Sequence, residues 1–207
     1  MGMIELLIKH RYGDNGLLAY IDLSFALATG LVISYNSLYP LTRIVDSTQQ
    51  LATFNIILWV ESLILTTLNI KNISLGLGQD LFDGTIISFL QMRGRKKFFL
   101  ASYFIDVLLL GILYILATEV VFYLSSFTPP SLWFIEFFSL YLFISNISLL
   151  ITIILKRPYR SFFISIILVF GFLFLLLKGM FSVSQYILVL SFIIVYVDYL
   201  LFRRVTI

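Results

Sequence analysis

The sequence has 207 residues, of which 60% are hydrophobic and only 12% are charged, and its mean hydropathy is +1.04. Soluble domains are about one-quarter charged, so this composition indicates a polytopic membrane protein without a separate soluble domain. Because there is no cysteine and only one histidine, the sequence excludes disulfides, thiolate metal sites and paired histidine ligands for a membrane haem.

The chain begins with a short amphipathic segment at residues 3–11. Ile4, Leu7 and Ile8 share one helical face, and the charged side chains lie elsewhere. This pattern predicts an N-terminal helix that lies in the membrane interface.

Six apolar runs follow, each close to the ~20 residues that cross a bilayer as a helix. We therefore expect an all-α fold in which residues 1–207 form a single transmembrane domain. The predicted spans cover residues 17–38, 51–75, 98–124, 132–155, 159–177 and 183–202.

The distribution of lysine and arginine predicts the orientation of these spans. Six spans put both termini on one side, and eleven cations fall on that side: Lys9, Arg11, Arg93, Arg95, Lys96, Lys97, Lys156, Arg157, Arg160, Arg203 and Arg204. Only Arg43 and Lys178 fall on the other side. Because cytoplasmic loops carry the excess of cations, both termini are expected in the cytoplasm of a cell-membrane protein.

The longest polar interruption, residues 79–103, separates the second and third spans. Ile86, Phe89 and Leu90 fall on one helical face, Asp83 stands at an N-cap position, and a cluster of cations follows. We predict a cytoplasmic amphipathic helix over residues 83–92. An ordinary charged loop is the alternative, which explains the cations but not the ordered succession of acidic, Gly-Thr, apolar and basic residues.

Five ionisable residues lie inside the predicted spans, where charge is costly unless it faces protein or water. They are Asp22, Glu61, Lys71, Asp106 and Asp198. At about 1.5 Å per residue, all except Glu61 lie within roughly 12 Å of the cytoplasmic face. Pairing of Lys71 with one or more aspartates is favoured over a role in a translocation path. Glu61 lies near the midplane, where no cation is expected, and is either neutral or lines a wet cavity.

The sequence contains no recognisable enzyme motif. It has no GxxxxGK[ST] phosphate-binding loop, no HExxH zinc motif and no GxSxG nucleophile elbow. Asp83-Gly84 begins like the motif of membrane alcohol phosphotransferases, but the further metal-binding aspartates are not at matching spacing. We therefore expect no catalysis by this chain and no metal bound to it.

The layout resembles the permease subunits of ABC-2-type exporters, which have an N-terminal interfacial helix, six spans and a cytoplasmic helix between spans two and three. That family's acidic-Gly-Thr-apolar-Arg order is matched by Asp83-Gly84-Thr85, an apolar run and Arg93, although the family's proline is absent. The resemblance implies an ATPase-coupling interface made by Asp83, Gly84, Thr85, Ile86, Phe89, Leu90 and Arg93.

The resemblance also implies partners. A separate ATP-binding subunit would hold ATP and Mg²⁺, a second identical or paralogous permease would complete the substrate path, and lipid would surround both; no nucleic acid and no cofactor in this chain are expected. Two alternatives stay open. One is a non-catalytic scaffold subunit of a multi-subunit membrane complex, and the other is a secondary transporter driven by protons through Glu61 and Asp106.

Overall fold

The computed structural model describes residues 3–13, 15–42, 47–177 and 185–204, and every regular element in these ranges is helical, which confirms the all-α prediction. Two π-helical segments, Asn72–Leu77 and Phe104–Leu108, interrupt the α-helical path. The α-helices are α1 Met3–Tyr12, α2 Gly16–Thr42, α3 Ser47–Lys71, α4 Gly78–Asp83, α5 Ile86–Arg93, α6 Arg95–Tyr103, α7 Leu109–Leu124, α8 Trp133–Leu155, α9 Pro158–Leu177 and α10 Gln185–Arg204. Arg43 and Lys178, the two cations assigned to the far side, lie outside the described residues.

Within the described ranges, six helical stretches are long and apolar enough to cross a membrane, which confirms the predicted number of spans. The second span joins α3, the first π-helical segment and α4 into Ala52–Asp83, and the third joins α6, the second π-helical segment and α7 into Arg95–Leu124. At 32 and 30 residues, both are longer than the ~20 that the hydrocarbon layer requires. The additional helical turns, which contain polar residues, lie at the end of each span that is joined to α5. We call this end of the molecule the α5 end of the bundle.

The core is organised around α8, the most buried of the spans, which packs against α3, α9 and α10. Polar side chains hold these contacts: Asn69 Nδ2 donates to Ser145 Oγ at 2.9 Å, and Asn146 Nδ2 donates to the Ser191 carbonyl oxygen at 3.0 Å. Hydrogen bonds of this kind between small and polar residues are typical of helix association in membranes. The outward faces of α9 and α10 are apolar and exposed, as expected of helices in contact with lipid.

The connection between the second and third spans is bent at two glycines. Gly84 ends α4 with φ of +73°, and Gly94 separates α5 from α6 with φ of +80°. Both residues have a positive φ, which glycine adopts without the penalty of a Cβ. The two glycines thereby separate the short helix α5 from both spans.

The prediction that Asp83 caps this helix is wrong. Asp83 is the last residue of α4, and its carboxylate accepts a hydrogen bond from Gln79 Nε2, one turn earlier, at 2.5 Å. Thr85 precedes α5 and makes no capping hydrogen bond through its side chain. The helix predicted over residues 83–92 is therefore Ile86–Arg93, because the second span continues as α4 up to the break at Gly84.

Candidate functional site

A buried ion cluster joins α1 to the second and third spans at the α5 end. The Arg11 guanidinium lies between two carboxylates: its Nη2 is 2.6 Å from Asp80 Oδ2, and its Nε donates to Asp106 Oδ1 at 3.0 Å. The three side chains are only 5%, 4% and 2% exposed. One cation from the N-terminal helix therefore links the two spans that flank α5.

The residues around Arg11 leave space for its side chain and give its two carboxylate partners further contacts. A Cβ added to Gly76 would lie 3.0 Å from both Cδ and Nε of Arg11, so glycine at this position makes room for the side chain. Ser102 Oγ donates to Asp106 Oδ2 at 2.5 Å, and His10 Nε2 is 3.1 Å from Asp80 Oδ1. Each carboxylate consequently has a second partner besides the guanidinium.

The electrostatics of the cluster favour a permanently charged Arg11. Burial by itself would lower the pKa of the guanidinium, but the neighbouring Asp106 and Asp80 carboxylates outweigh burial, and the pKa is raised above its ordinary value. A guanidinium between two carboxylates matches their geometry with its planar array of donors. Removing the cation would leave two acidic groups facing each other in a buried site.

Both π-helical segments meet at this cluster, and they contact each other. Asp106 lies in the second segment, where the Ile105 carbonyl oxygen accepts a bond from the Tyr12 hydroxyl at 2.9 Å. The Val107 carbonyl oxygen accepts one from the Tyr141 hydroxyl at 2.7 Å. Isolated π-helical turns inside α-helices are frequent at functional sites, and these side chains satisfy backbone groups of the widened turn.

The Tyr12 hydroxyl is suited to its role as a donor. Burial raises its pKa above the ordinary range, and the negative charge of Asp106 raises the pKa further, so the proton stays on the phenol. Tyr12 thus reinforces the attachment of α1 to the third span.

A cavity of about 460 Å³ opens beside the cluster. Its walls are α1, the start of α2, the first π-helical segment and α4, and its lining is largely polar. Tyr20 on α2 donates to Asn72 Oδ1 across this wall at 2.9 Å, and Lys71 also lines the space. The volume is within the range of small-ligand sites.

The expected pairing of Lys71 with aspartates does not occur among the described residues. Asp106 is paired with Arg11 instead, while Lys71 is exposed and makes no hydrogen bond or ion pair there. Asp22 is exposed on α2 and is not one of the carboxylates that pair with Arg11. Asp198 on α10 is fully buried, and neither of its carboxylate oxygens has a hydrogen-bond partner within the described part of the chain.

Glu61 lies inside the bundle with a neutral partner. Its side chain is buried, and the Tyr114 hydroxyl donates to Glu61 Oε2 at 2.5 Å. Gly30 on α2 lies close by, since a Cβ at that position would be 3.9 Å from Glu61 Oε1. The residue joins α3 to α7 through one hydrogen bond and does not line the polar cavity beside Arg11.

The apolar face of α5 packs against helices of this same chain, and an interface between α5 and an ATPase stays a prediction. Ile86 is fully buried and Phe89 is 7% exposed, with the Phe89 ring 5.7 Å from the His10 ring and 5.6 Å from the Phe98 ring. Leu90 is half-buried against the same core. The helix is thereby fixed to α1 and α6.

Other residues of the predicted coupling interface do face outward. Asp83 and Thr85 are exposed, Gly84 forms the bend, and the side chain of Arg93 lies outside the described residues. Two large apolar residues near these positions are also exposed to solvent, Phe82 by 61% and Ile87 by 42%.

Sequence reasoning missed the role of Arg11, which had been counted only as one of the orientation-determining cations. The one available signal was an arginine in an interfacial helix combined with two acids, Asp80 and Asp106, at nearby depths.

No protein-family model, curated protein or solved structure matches this chain.

Proposed function

We propose that this chain is the membrane subunit of an ATP-driven transporter of the ABC-2 type, which pairs with a second permease and with a separate ATP-binding subunit to export a substrate. The observation that supports the proposal is the position of α5, a short helix set between two glycine bends at the projecting ends of the second and third spans. Two large apolar side chains are exposed there: Phe82 at the end of α4 and Ile87 on α5.

The buried side of α5 supplies the rigidity that such a coupling element needs. Because Phe89 packs against His10 of α1 and Phe98 of α6, a push on the outer face of α5 moves the second and third spans together rather than only a loop. The Arg11 cluster joins the same two spans through Asp80 and Asp106. ATP and Mg²⁺ would be held by the partner, in agreement with a sequence that has no phosphate-binding loop.

The proposal places both termini and α5 in the cytoplasm of a cell-membrane protein. Since the chain has no natural cysteine, a single engineered cysteine reports the side without background. In intact cells, we expect an impermeant thiol reagent to label Ser131→Cys, between α7 and α8, and to spare Ser88→Cys on α5; both serines are exposed. Labelling of Ser88→Cys in unbroken cells, with Ser131→Cys protected, would reverse the orientation.

The outer surface of α5 is the place to test the ATPase partnership. We expect Phe82→Ala combined with Ile87→Ala to weaken association with the ATP-binding subunit at least tenfold, because truncated apolar anchors commonly cost ~2 kcal/mol. Ser88→Ala, an exposed substitution on the same helix, is the matched control. The measurements are co-purification from native membranes, nucleotide hydrolysis after reconstitution, and the melting temperature of the membrane subunit, which should not change.

The alternatives predict different results in the same experiment. A scaffold subunit would co-purify with a large complex that lacks an ATP-binding subunit with a phosphate-binding loop. A proton-coupled transporter would move substrate in proteoliposomes without any nucleotide. Unchanged ATPase association and unchanged coupled hydrolysis in the double variant would remove this surface of α5 from the interface.

A further inference from the structure

We propose that the cavity between α1, α2 and the second span binds the phosphate group of an anionic lipid headgroup, with Lys71 as its cationic ligand. This inference is independent of the ATPase partnership. It rests on a lysine without a counter-ion, on the volume and lining of the cavity, and on the depth at which the cavity opens.

Lys71 needs an anion that the described part of the chain does not supply. It is the last residue of α3, lies within the span Ala52–Asp83, is exposed, and has neither a hydrogen bond nor an ion pair among the described residues. Ammonium groups inside spans ordinarily find an acidic partner, a water-filled cavity or the headgroup layer. The open cavity and the headgroup layer are the two environments available to Lys71.

The carboxylates along the same wall are engaged elsewhere. Asp80 is held by Arg11 and His10, and Asp83 accepts a hydrogen bond from Gln79. Asp83 is also twelve residues from Lys71, roughly 18 Å along the helix at about 1.5 Å per residue. The positive charge of Lys71 is therefore not cancelled within its part of the cavity.

We infer from the length of the second span that Lys71 lies near the level of the phosphate layer of a bilayer. From the start of the second span, residues 52–71 form the ~20-residue stretch that crosses the hydrocarbon core. The polar wall of the cavity begins directly afterwards with Asn72, whose Nδ2 donates a long hydrogen bond of 3.5 Å to the Tyr12 hydroxyl. A lipid with its tails against the outer face of the bundle would bring its phosphate to this level.

The lining supplies donors that suit a phosphate ester. Lys71 offers three N–H groups, and the neighbouring Asn72 adds an amide donor at the same end of the cavity. The cavity of about 460 Å³ accommodates a headgroup. Free inorganic phosphate shares this chemistry but has no tails to anchor it at the depth of Lys71, so the two sources are distinguishable.

The test compares ligands on the purified full chain in a neutral detergent. The melting temperature and the retained lipids, seen by native mass spectrometry, are measured with phosphatidylglycerol, with diacylglycerol of the same chains, and with inorganic phosphate. We expect phosphatidylglycerol to be retained and to raise the melting temperature, and diacylglycerol to do neither. Equal effects of the two lipids would overturn the proposal without recourse to any variant.

Variants then locate the site. Lys71→Gln should weaken phosphatidylglycerol binding about tenfold, Lys71→Arg should keep most of it, and Lys96→Gln, an exposed cation on α6 outside the cavity, should match the natural chain. Protection by inorganic phosphate that depends on Lys71 would support the phosphate site and assign it to a free ion. Undiminished lipid binding by Lys71→Gln, or no binding by any of the three ligands, would refute it.

Discussion

Replacing Arg11 with methionine is expected to destabilise the protein by about 3–5 kcal/mol, the usual cost of removing one partner from a buried ion pair. The loss leaves Asp80 and Asp106, 4% and 2% exposed, without their shared cation. Methionine preserves much of the side-chain length, so that lost packing contributes little. The measurement is the midpoint of chemical or thermal unfolding of the purified chain in detergent.

The control substitutions separate the effect of the cluster from the loss of one positive charge. Lys97→Met removes an exposed cation from α6 and should leave the midpoint nearly unchanged. Adding Asp80→Asn and Asp106→Asn to Arg11→Met removes the uncompensated charges and should recover part of the stability, which a mutant cycle quantifies. Arg11→Lys should fall in between, because an ammonium lacks the planar fork that reaches both carboxylates. If Arg11→Met proves as stable as Lys97→Met, the cluster does not hold α1 to the spans.

The spans and the polar stretch at residues 79–103 could be predicted because their signals are local. A run of ~20 apolar residues is sufficient for a span, and the break before Ile86 is marked by Gly84 in the sequence itself. The helix boundary was misplaced by three residues because Asp83 has a stronger local partner, Gln79, four residues earlier in α4. A competing interaction within one helical turn is not visible in a capping pattern.

The ion cluster could not be predicted, because its members are far apart in the sequence. Arg11 and Asp106 are separated by 95 residues, and His10 and Asp80 by 70. The helical rise per residue predicted similar membrane depths for Lys71 and Asp106. Depth alone, however, does not determine on which side of its helix a residue lies. The two π-helical segments, which shift the side chains that follow them around the helix axis, add to this uncertainty.

The face of α5 shows a related limit of sequence patterns. Ile86, Phe89 and Leu90 were correctly placed on one face, but amphipathicity states only that a face is buried and not against what. In the structure, the covering surface belongs to α1 and α6 of this chain, with His10 and Phe98 against the Phe89 ring. The consequence of truncating Phe89 therefore changes from loss of a partner to loss of packing.

We expect Phe89→Ala to lower the free energy of unfolding by about 3–5 kcal/mol, as large-to-small substitutions of buried aromatic residues do. The Phe89 side chain is 7% exposed, and its removal would leave a void between α1, α5 and α6. Ile87→Ala, on the same helix but 42% exposed, is the matched control and should change stability little. Unfolding midpoints of both variants in the same detergent provide the comparison.

The same pair of variants separates packing from partner binding. If α5 couples to an ATPase through its outer surface, Ile87→Ala weakens that association at full stability, whereas Phe89→Ala weakens it only in proportion to the unfolding of α5. Limited proteolysis at the exposed cations Arg95–Lys97 should report this loosening, with faster cleavage in Phe89→Ala and unchanged cleavage in Ile87→Ala. The Phe89→Ala variant could instead keep its full stability and its slow cleavage but lose the ATPase. That result would show that the Phe89 face of α5 contacts the partner.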